Sequence, residues 1–188
     1  MAKYILASQS PRRKQLLQWA EIDFEIVAHP TDETYPPGLK PSEIALYIAL
    51  QKAEAVAALR SREEVIIAAD TIVVLENEII GKPKDRQDCL DILTRLGGKH
   101  HQVITGVAIK WNGKTIQFSD VTDVEFYALT QEQIEYYFDK YQPYDKAGAY
   151  AIQEWIGVVG IKKITGDFYN VMGLPVSRVV QELELLKS

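Results

Sequence analysis

Apolar runs rich in β-branched and aromatic residues alternate along this chain with stretches whose hydrophobic positions recur at helical spacing, the pattern of a sheet covered by helices. The runs predict strands over residues 4–7, 24–27, 65–75, 102–111, 115–127 and 158–164. Helical periodicity and end signals predict helices over 11–20, 42–60 with Ser42 as N-cap, 86–96 ended by Gly97-Gly98, 130–141 and 175–186. Trp111-Asn112-Gly113-Lys114 sets Asn-Gly between two strand-like segments, so the sheet contains an antiparallel pair and is not of the purely parallel Rossmann type. The expected fold class is α/β, a mixed sheet flanked by helices. No repeat, low-complexity tract or linker interrupts it, so a single, bilobed domain is expected over residues 1–188.

Composition narrows the function. With 188 residues, 47% of them hydrophobic, the chain can bury a substantial core. Its formal net charge of -5 argues against an extended phosphate-neutralising surface for nucleic acid, so basic residues must act locally. Cys89 is the lone cysteine, which excludes an internal disulfide and reads as a buried thiol. No apolar stretch approaches the length of a membrane span, and Met1-Ala2-Lys3-Tyr4 leads straight into the first strand, so a cytoplasmic location is expected. The glycine-rich fingerprints of dinucleotide-binding and P-loop proteins are missing.

The candidate chemistry lies where polar residues break the apolar pattern. Ser8-Gln9-Ser10-Pro11-Arg12-Arg13 joins Tyr4-Ile5-Leu6-Ala7 to Lys14-Gln15-Leu16-Leu17, a strand handing over to a helix through two hydroxyls and two guanidiniums. Ser10 suits the N-cap and Pro11 the first helical position, and the free amides of the first turn favour an anion. A first-turn arginine pair opposes the helix dipole, where a purely structural cap would favour Asp or Glu. Adjacent helical positions point about 100° apart, so one arginine is expected to face a ligand and the other to brace an acidic residue. The sequence leaves open which does which.

Asp70 interrupts Val65-Ile66-Ile67-Ala68-Ala69 and is followed by Thr71-Ile72-Val73-Val74. A carboxylate in such a run is costly unless it is paired, metal-bound or open to a cavity. It reads either as a metal ligand or general base beside a phosphate site, or as an Asp bonded to loop amides. Gly81-Lys82-Pro83 holds a lysine on a stiff loop suited to phosphate. Lys52 lies in a mostly apolar helix and either extends its ammonium into a cleft or snorkels to the surface. Glu33 precedes the loop-like Pro36-Pro37-Gly38. Asp145-Lys146-Ala147-Gly148-Ala149-Tyr150-Ala151-Ile152-Gln153 pairs small residues with a side-chain amide whose donors and acceptor can read the imide edge of uracil or thymine. His100 and His101 have no metal-ligand spacing and read as strand-entry residues.

Taken in order, Leu6-Ala7-Ser8-Gln9-Ser10-Pro11-Arg12-Arg13, Ala69-Asp70-Thr71, Gly81-Lys82-Pro83, Gly97-Gly98-Lys99-His100 with Thr105-Gly106-Val107, and the segment ending at Gln153 resemble the Maf family of nucleoside triphosphate pyrophosphatases over nearly the whole chain. The resemblance implies an inosine triphosphatase-like α/β fold, with an elongated mixed sheet, two lobes and a nucleotide cleft, usually as a homodimer. It implies hydrolysis of a nucleoside triphosphate to monophosphate and pyrophosphate with a divalent cation, Mg, Mn or Co.

By motif position it implies Asp70 as proton acceptor, with Lys82 and Glu33 as further catalytic residues. Ser8, Ser10, Arg12, Arg13, Lys52, Thr71 and Gln153 follow as substrate-binding residues, and Asp70 with Glu33 as metal ligands. Ala149-Tyr150-Ala151-Ile152-Gln153 resembles the branch acting on dTTP and UTP, whereas the 7-methyl-GTP branch ends in Ser-Phe-Lys-Ser-Glu. The expected partner is a nucleoside triphosphate, with no membrane and no stable nucleic-acid partner, in nucleotide-pool housekeeping linked to cell division arrest. The alternative is a non-catalytic nucleotide-sensing or nucleic-acid-binding regulator of septum formation. A carboxylate in a phosphate site favours hydrolysis, since in mere binding it would only repel.

Overall fold

A computed structural model describes residues 3–186. Met1, Ala2, Lys187 and Ser188, including the lead into the first strand, lie outside the described residues. The elements run β1 (Tyr4–Leu6), α1 (Pro11–Trp19), β2 (Phe24–Ile26), α2 (Pro41–Ala57), β3 (Val65–Leu75), β4 (Glu78–Ile80), α3 (Arg86–Leu96), β5 (His100–Trp111), β6 (Lys114–Phe126), α4 (Gln131–Tyr141), α5 (Trp155–Gly160), β7 (Ile161–Thr165), α6 (Phe168–Met172) and α7 (Val176–Leu185), with a 3-10 turn at Ala147–Ala149. Seven strands share one sheet in the order β2-β1-β3-β5-β6-β7, with β4 paired to β3. β1 is parallel to β2 and β3, while β4 and β7 are antiparallel to their neighbours, which makes the sheet mixed as expected. Asn112 and Gly113 both take positive φ, 48° and 79°, as the tight β5–β6 hairpin requires. Among the described residues no helix is long and apolar enough to cross a membrane.

Three local expectations are corrected. The second helix begins at Pro41 rather than after Ser42, because Pro suits the first helical position and the Glu43 carboxylate accepts the Lys40 N–H at 2.7 Å. Residues 158–164 are not one strand: Trp155–Gly160 is helical and only Ile161–Thr165 pairs with β6. Val158 and Val159 favour strands, yet Gly157 packs so closely on the Ile152 carbonyl that an added Cβ would lie 1.8 Å from its oxygen, and tertiary packing overrides propensity. Strand β4 was not anticipated, since its turn from β3 uses Glu76 and Asn77 at positive φ instead of a glycine.

The chain divides into two compact units, Met1–Thr71 with Thr105–Asp120 and Gly173–Ser188, and Ile72–Ile104 with Val121–Met172. In the first unit Ile5 of β1, Ala7 just after it, Ile66 and Ala68 of β3 and Ala108 of β5 form a buried cluster with Ala49, Ala53 and Val56 of α2. The approach is close because Gly106 lacks a side chain, as a Cβ there would sit 2.3 Å from the Ala45 carbonyl carbon. Strand alternation carries the line of Ile66 and Ala68 on to Asp70, and helical spacing puts Lys52 on the buried stripe of Ala45, Ala49 and Val56. The two polar exceptions thus fall on facing surfaces.

The second unit buries the amphipathic faces of α3 (Cys89, Leu90, Ile92, Leu93, Leu96) and α4 (Ile134, Tyr137, Phe138). His101, Phe126 and Tyr150 form an aromatic cluster there, with ring centroids 5.1 to 5.5 Å apart.

Candidate active site

In the first unit the Lys52 ammonium is held between two carboxylates, 2.7 Å from Asp70 Oδ1 and 2.8 Å from Glu33 Oε1. Asp70 and Lys52 are largely buried, with side chains 13% and 17% exposed, whereas Glu33 is 53% exposed on its loop. Asp70 and Lys52 are each other's partner in the apolar layer between β3 and α2.

Next in the strand, Thr71 points to the opposite face of the sheet. There the Arg13 guanidinium of α1 donates from Nη2 to Thr71 Oγ1 at 3.0 Å, from Nη1 to Ser8 Oγ at 3.2 Å and from Nε to the Gly173 carbonyl at 2.8 Å. Thr71 is fixed further by Thr105 Oγ1 at 2.9 Å, and it contacts the Gly173 carbonyl oxygen at 3.3 Å. Burial lowers the Arg13 pKa from its ordinary value, an effect opposed by the charge of Asp70. Arg13 is therefore a buried brace among two hydroxyls and a carbonyl. Arg12, one position earlier, is half-buried.

Ser10 occupies the N-cap of α1 but its hydroxyl makes no cap bond; Ser8 Oγ instead accepts the Ser10 N–H at 3.2 Å. One serine hydroxyl thus organises the turn for both the backbone and Arg13.

Lys82 and Gln153 fall in the second unit. Both are exposed, and Lys82 follows Gly81, whose carbonyl accepts the Gly148 N–H at 3.0 Å. Gly148 has φ +72° and lies against Val73, where a Cβ would meet Cγ2 at 3.0 Å, so the loop ahead of Gln153 requires glycine. Ala149 to Ile152 are buried and Gln153 emerges from them. The Tyr150 hydroxyl lies 2.7 Å from His101 Nε2. Burial brings the His101 pKa down to about 4, so the ring is neutral at ordinary pH.

The donor set suits a divalent cation. Glu33 and Asp70 already converge on one cationic atom, the Lys52 nitrogen, at hydrogen-bond distance. Among the described residues no three His, Cys, Asp or Glu side chains gather into a ready-made cage. Two carboxylates without a closed cage match a hard ion that completes its coordination with phosphate oxygens and water.

The description Maf-like protein matches this chain over residues 3–186. The chain belongs to the Maf family. This family member is 52% identical over 180 residues to a dTTP/UTP pyrophosphatase of Cytophaga hutchinsonii, covering 96% of this chain and 82% of the relative. It is 50% identical over 185 residues to the protein of that name from Phocaeicola vulgatus, covering 98% and 96% of the two chains. Among solved structures, the Staphylococcus aureus Ham1 protein is similar over 66% of this chain and 71% of its own, at 16% identity and a TM-score of 0.48.

Several residues of these clusters were not singled out by sequence. Thr105 was quoted only within a motif and turns out to buttress Thr71. His101, read as a strand-entry residue, is 2% exposed and bonded to Tyr150. Buried Tyr137 and Lys146 both meet the half-buried Glu154 beside Gln153. A signal existed only for Lys146, a lysine among small and aromatic residues.

Proposed function

We propose that this Maf-family chain hydrolyses dTTP and UTP to the monophosphate and pyrophosphate. The observation that carries the reading is the Lys52 ammonium bound by both Asp70 and Glu33, in a chain about half identical to proteins named dTTP/UTP pyrophosphatase. An ammonium poised between carboxylates can exchange them for phosphate, and the carboxylates it leaves can take a cation and a water.

In this account Arg12, Lys52 and Lys82, with the hydroxyl and amides of the Ser8–Ser10 turn, neutralise and orient the triphosphate. Arg13 positions Ser8 and Thr71, with three of its N–H groups given to Ser8, Thr71 and the Gly173 carbonyl. Asp70 accepts the proton of a water whose oxygen forms a bond to the α-phosphorus as the bond to the bridging oxygen breaks, and pyrophosphate leaves with the electron pair. Asp70 and Glu33 would hold a divalent cation, Mg, Mn or Co, which when bound stabilises charge on the phosphates. Gln153 reads the base: its amide offers both donors and acceptor to the O4 and N3–H of uracil or thymine. A cytoplasmic setting, a homodimer and a role in nucleotide-pool housekeeping belong to the proposal on the family resemblance.

The test is hydrolysis with a divalent cation across canonical and modified nucleoside triphosphates, with products resolved chromatographically. Monophosphate plus pyrophosphate from UTP and dTTP is expected. Tight binding without turnover would favour a nucleotide sensor instead.

A further inference from the structure

The amide proposed to read the base is exposed, yet the chain on either side of it is tied to a buried tyrosine. Tyr137 of α4 is fully buried, and its Oη accepts the Ala151 N–H at 3.2 Å while donating to Glu154 Oε2. These partners flank Gln153, two residues before it and one after. Glu154 also meets the buried Lys146 ammonium at 3.6 Å, and Lys146 pairs with Asp145 at 2.8 Å.

Discrimination depends on such a hold. Uracil presents a carbonyl acceptor beside an N3–H donor, whereas cytosine presents an amino donor beside an N3 acceptor. A glutamine amide that can turn over satisfies either edge, since it has an acceptor on one side and donors on the other. Selectivity therefore requires an amide held at a set place against the base, and a fixed main chain sets how far and in which direction the side chain reaches. Propensity offers nothing of the kind here, because residues 150–154 lie outside regular helix and strand.

We propose that the Tyr137 hydroxyl is a specificity-positioning group, clamping the chain on both sides of Gln153 so that its amide is presented at one place against uracil or thymine. The inference rests on the reading of Gln153 as the base-recognising residue. Tyr137 touches no reacting atom in this account and acts only through Gln153.

The experiment compares kcat/KM for UTP and CTP in the full chain and in Tyr137→Phe, Gln153→Ala and the double variant, with Tyr136→Phe as a control on the same helix. Tyr137→Phe is expected to reduce the UTP-to-CTP ratio by about tenfold, Gln153→Ala to reduce it at least as far, and Tyr137→Phe to have no further effect once Gln153 is gone. Tyr136→Phe is expected to leave the ratio alone.

A folded Tyr137→Phe enzyme with the parent ratio would overturn the proposal, as would equal losses with and without Gln153, which is what general loosening produces. An unchanged ratio in Gln153→Ala would instead remove the base-reading assignment itself, and the clamp with it. Should Tyr137→Phe fail to fold, Glu154→Ala removes the acceptor of the same hydroxyl: a reduced ratio supports the clamp and a parental one overturns it.

Discussion

The two units treat polar groups in opposite ways. In the first, Lys52, Asp70 and Glu33 form ionic contacts at a partly exposed point, so water, cation or phosphate can replace either partner. In the second, the buried Tyr150 hydroxyl meets buried His101 and the buried Tyr137 hydroxyl accepts the Ala151 N–H, while the Gln153 side chain is exposed. Groups that must exchange partners during a reaction are left where exchange is cheap; groups that only hold a shape are buried, where breaking a hydrogen bond exposes the full desolvation penalty. Arg13 follows the second rule inside the first unit, and this separates it from its neighbour Arg12.

The contrast can be broken by substitution. The largest effect is expected from Asp70→Asn, which keeps the shape but removes the base: turnover should fall by about 10² to 10⁴ while nucleotide binding stays within a few fold, read from steady-state rates and calorimetric titration. Near-parental turnover would take Asp70 out of the chemistry.

Next is Arg13→Met, which leaves Ser8, Thr71 and the Gly173 carbonyl without their shared donor. It should cost about 3 kcal/mol in denaturant unfolding, against less than about 0.5 kcal/mol for Arg12→Ala, whose expected signature is a raised KM for nucleotide. Equal stability losses would erase the division between the two arginines.

The second unit should respond to acid. His101 has a folded pKa of about 4 against an ordinary value of 6.5, because burial and the neighbouring His100 disfavour its charged form. The unfolded chain therefore binds the proton first. The stability that neutral His101 confers is complete above pH 6.5 and is lost as pH falls toward 4, by at most about 3 kcal/mol. Urea midpoints across that range should show the slope in the parent and lose it in His101→Phe.

The smallest effect is expected at the exposed amide. Gln153→Glu should lower kcat/KM for UTP and dTTP relative to purine triphosphates by about tenfold, since an ionised carboxylate can only accept. An unchanged selectivity profile would leave base recognition to other residues.

These differences also explain what the sequence disclosed. Asp70, Lys52 and Arg13 were visible because each breaks an apolar or dipolar pattern that is otherwise kept, and a broken local pattern can be read along the chain. What each one pairs with was not visible, since the acceptors of Arg13 come from residues 8, 71 and 173, far apart along the chain. The buried clamp of Tyr137 was silent for a similar reason. A tyrosine at a core position of an amphipathic helix looks like any other core residue until the fold shows where its hydroxyl ends. Element types were mostly legible; among the misses, which include the short helix Phe168–Met172, β4 and the helix at Trp155–Gly160 lie where a glycine-free turn and close packing override local propensity.

The central claim is hydrolysis at the α-phosphorus by a water that Asp70 activates. Turnover of UTP in water enriched in oxygen-18, with mass analysis of both products, tests it directly. The account predicts one heavy oxygen in UMP, an unlabelled pyrophosphate released in equal amount, and loss of the labelled product in Asp70→Asn. Label in pyrophosphate, or release of orthophosphate in its place, would contradict it.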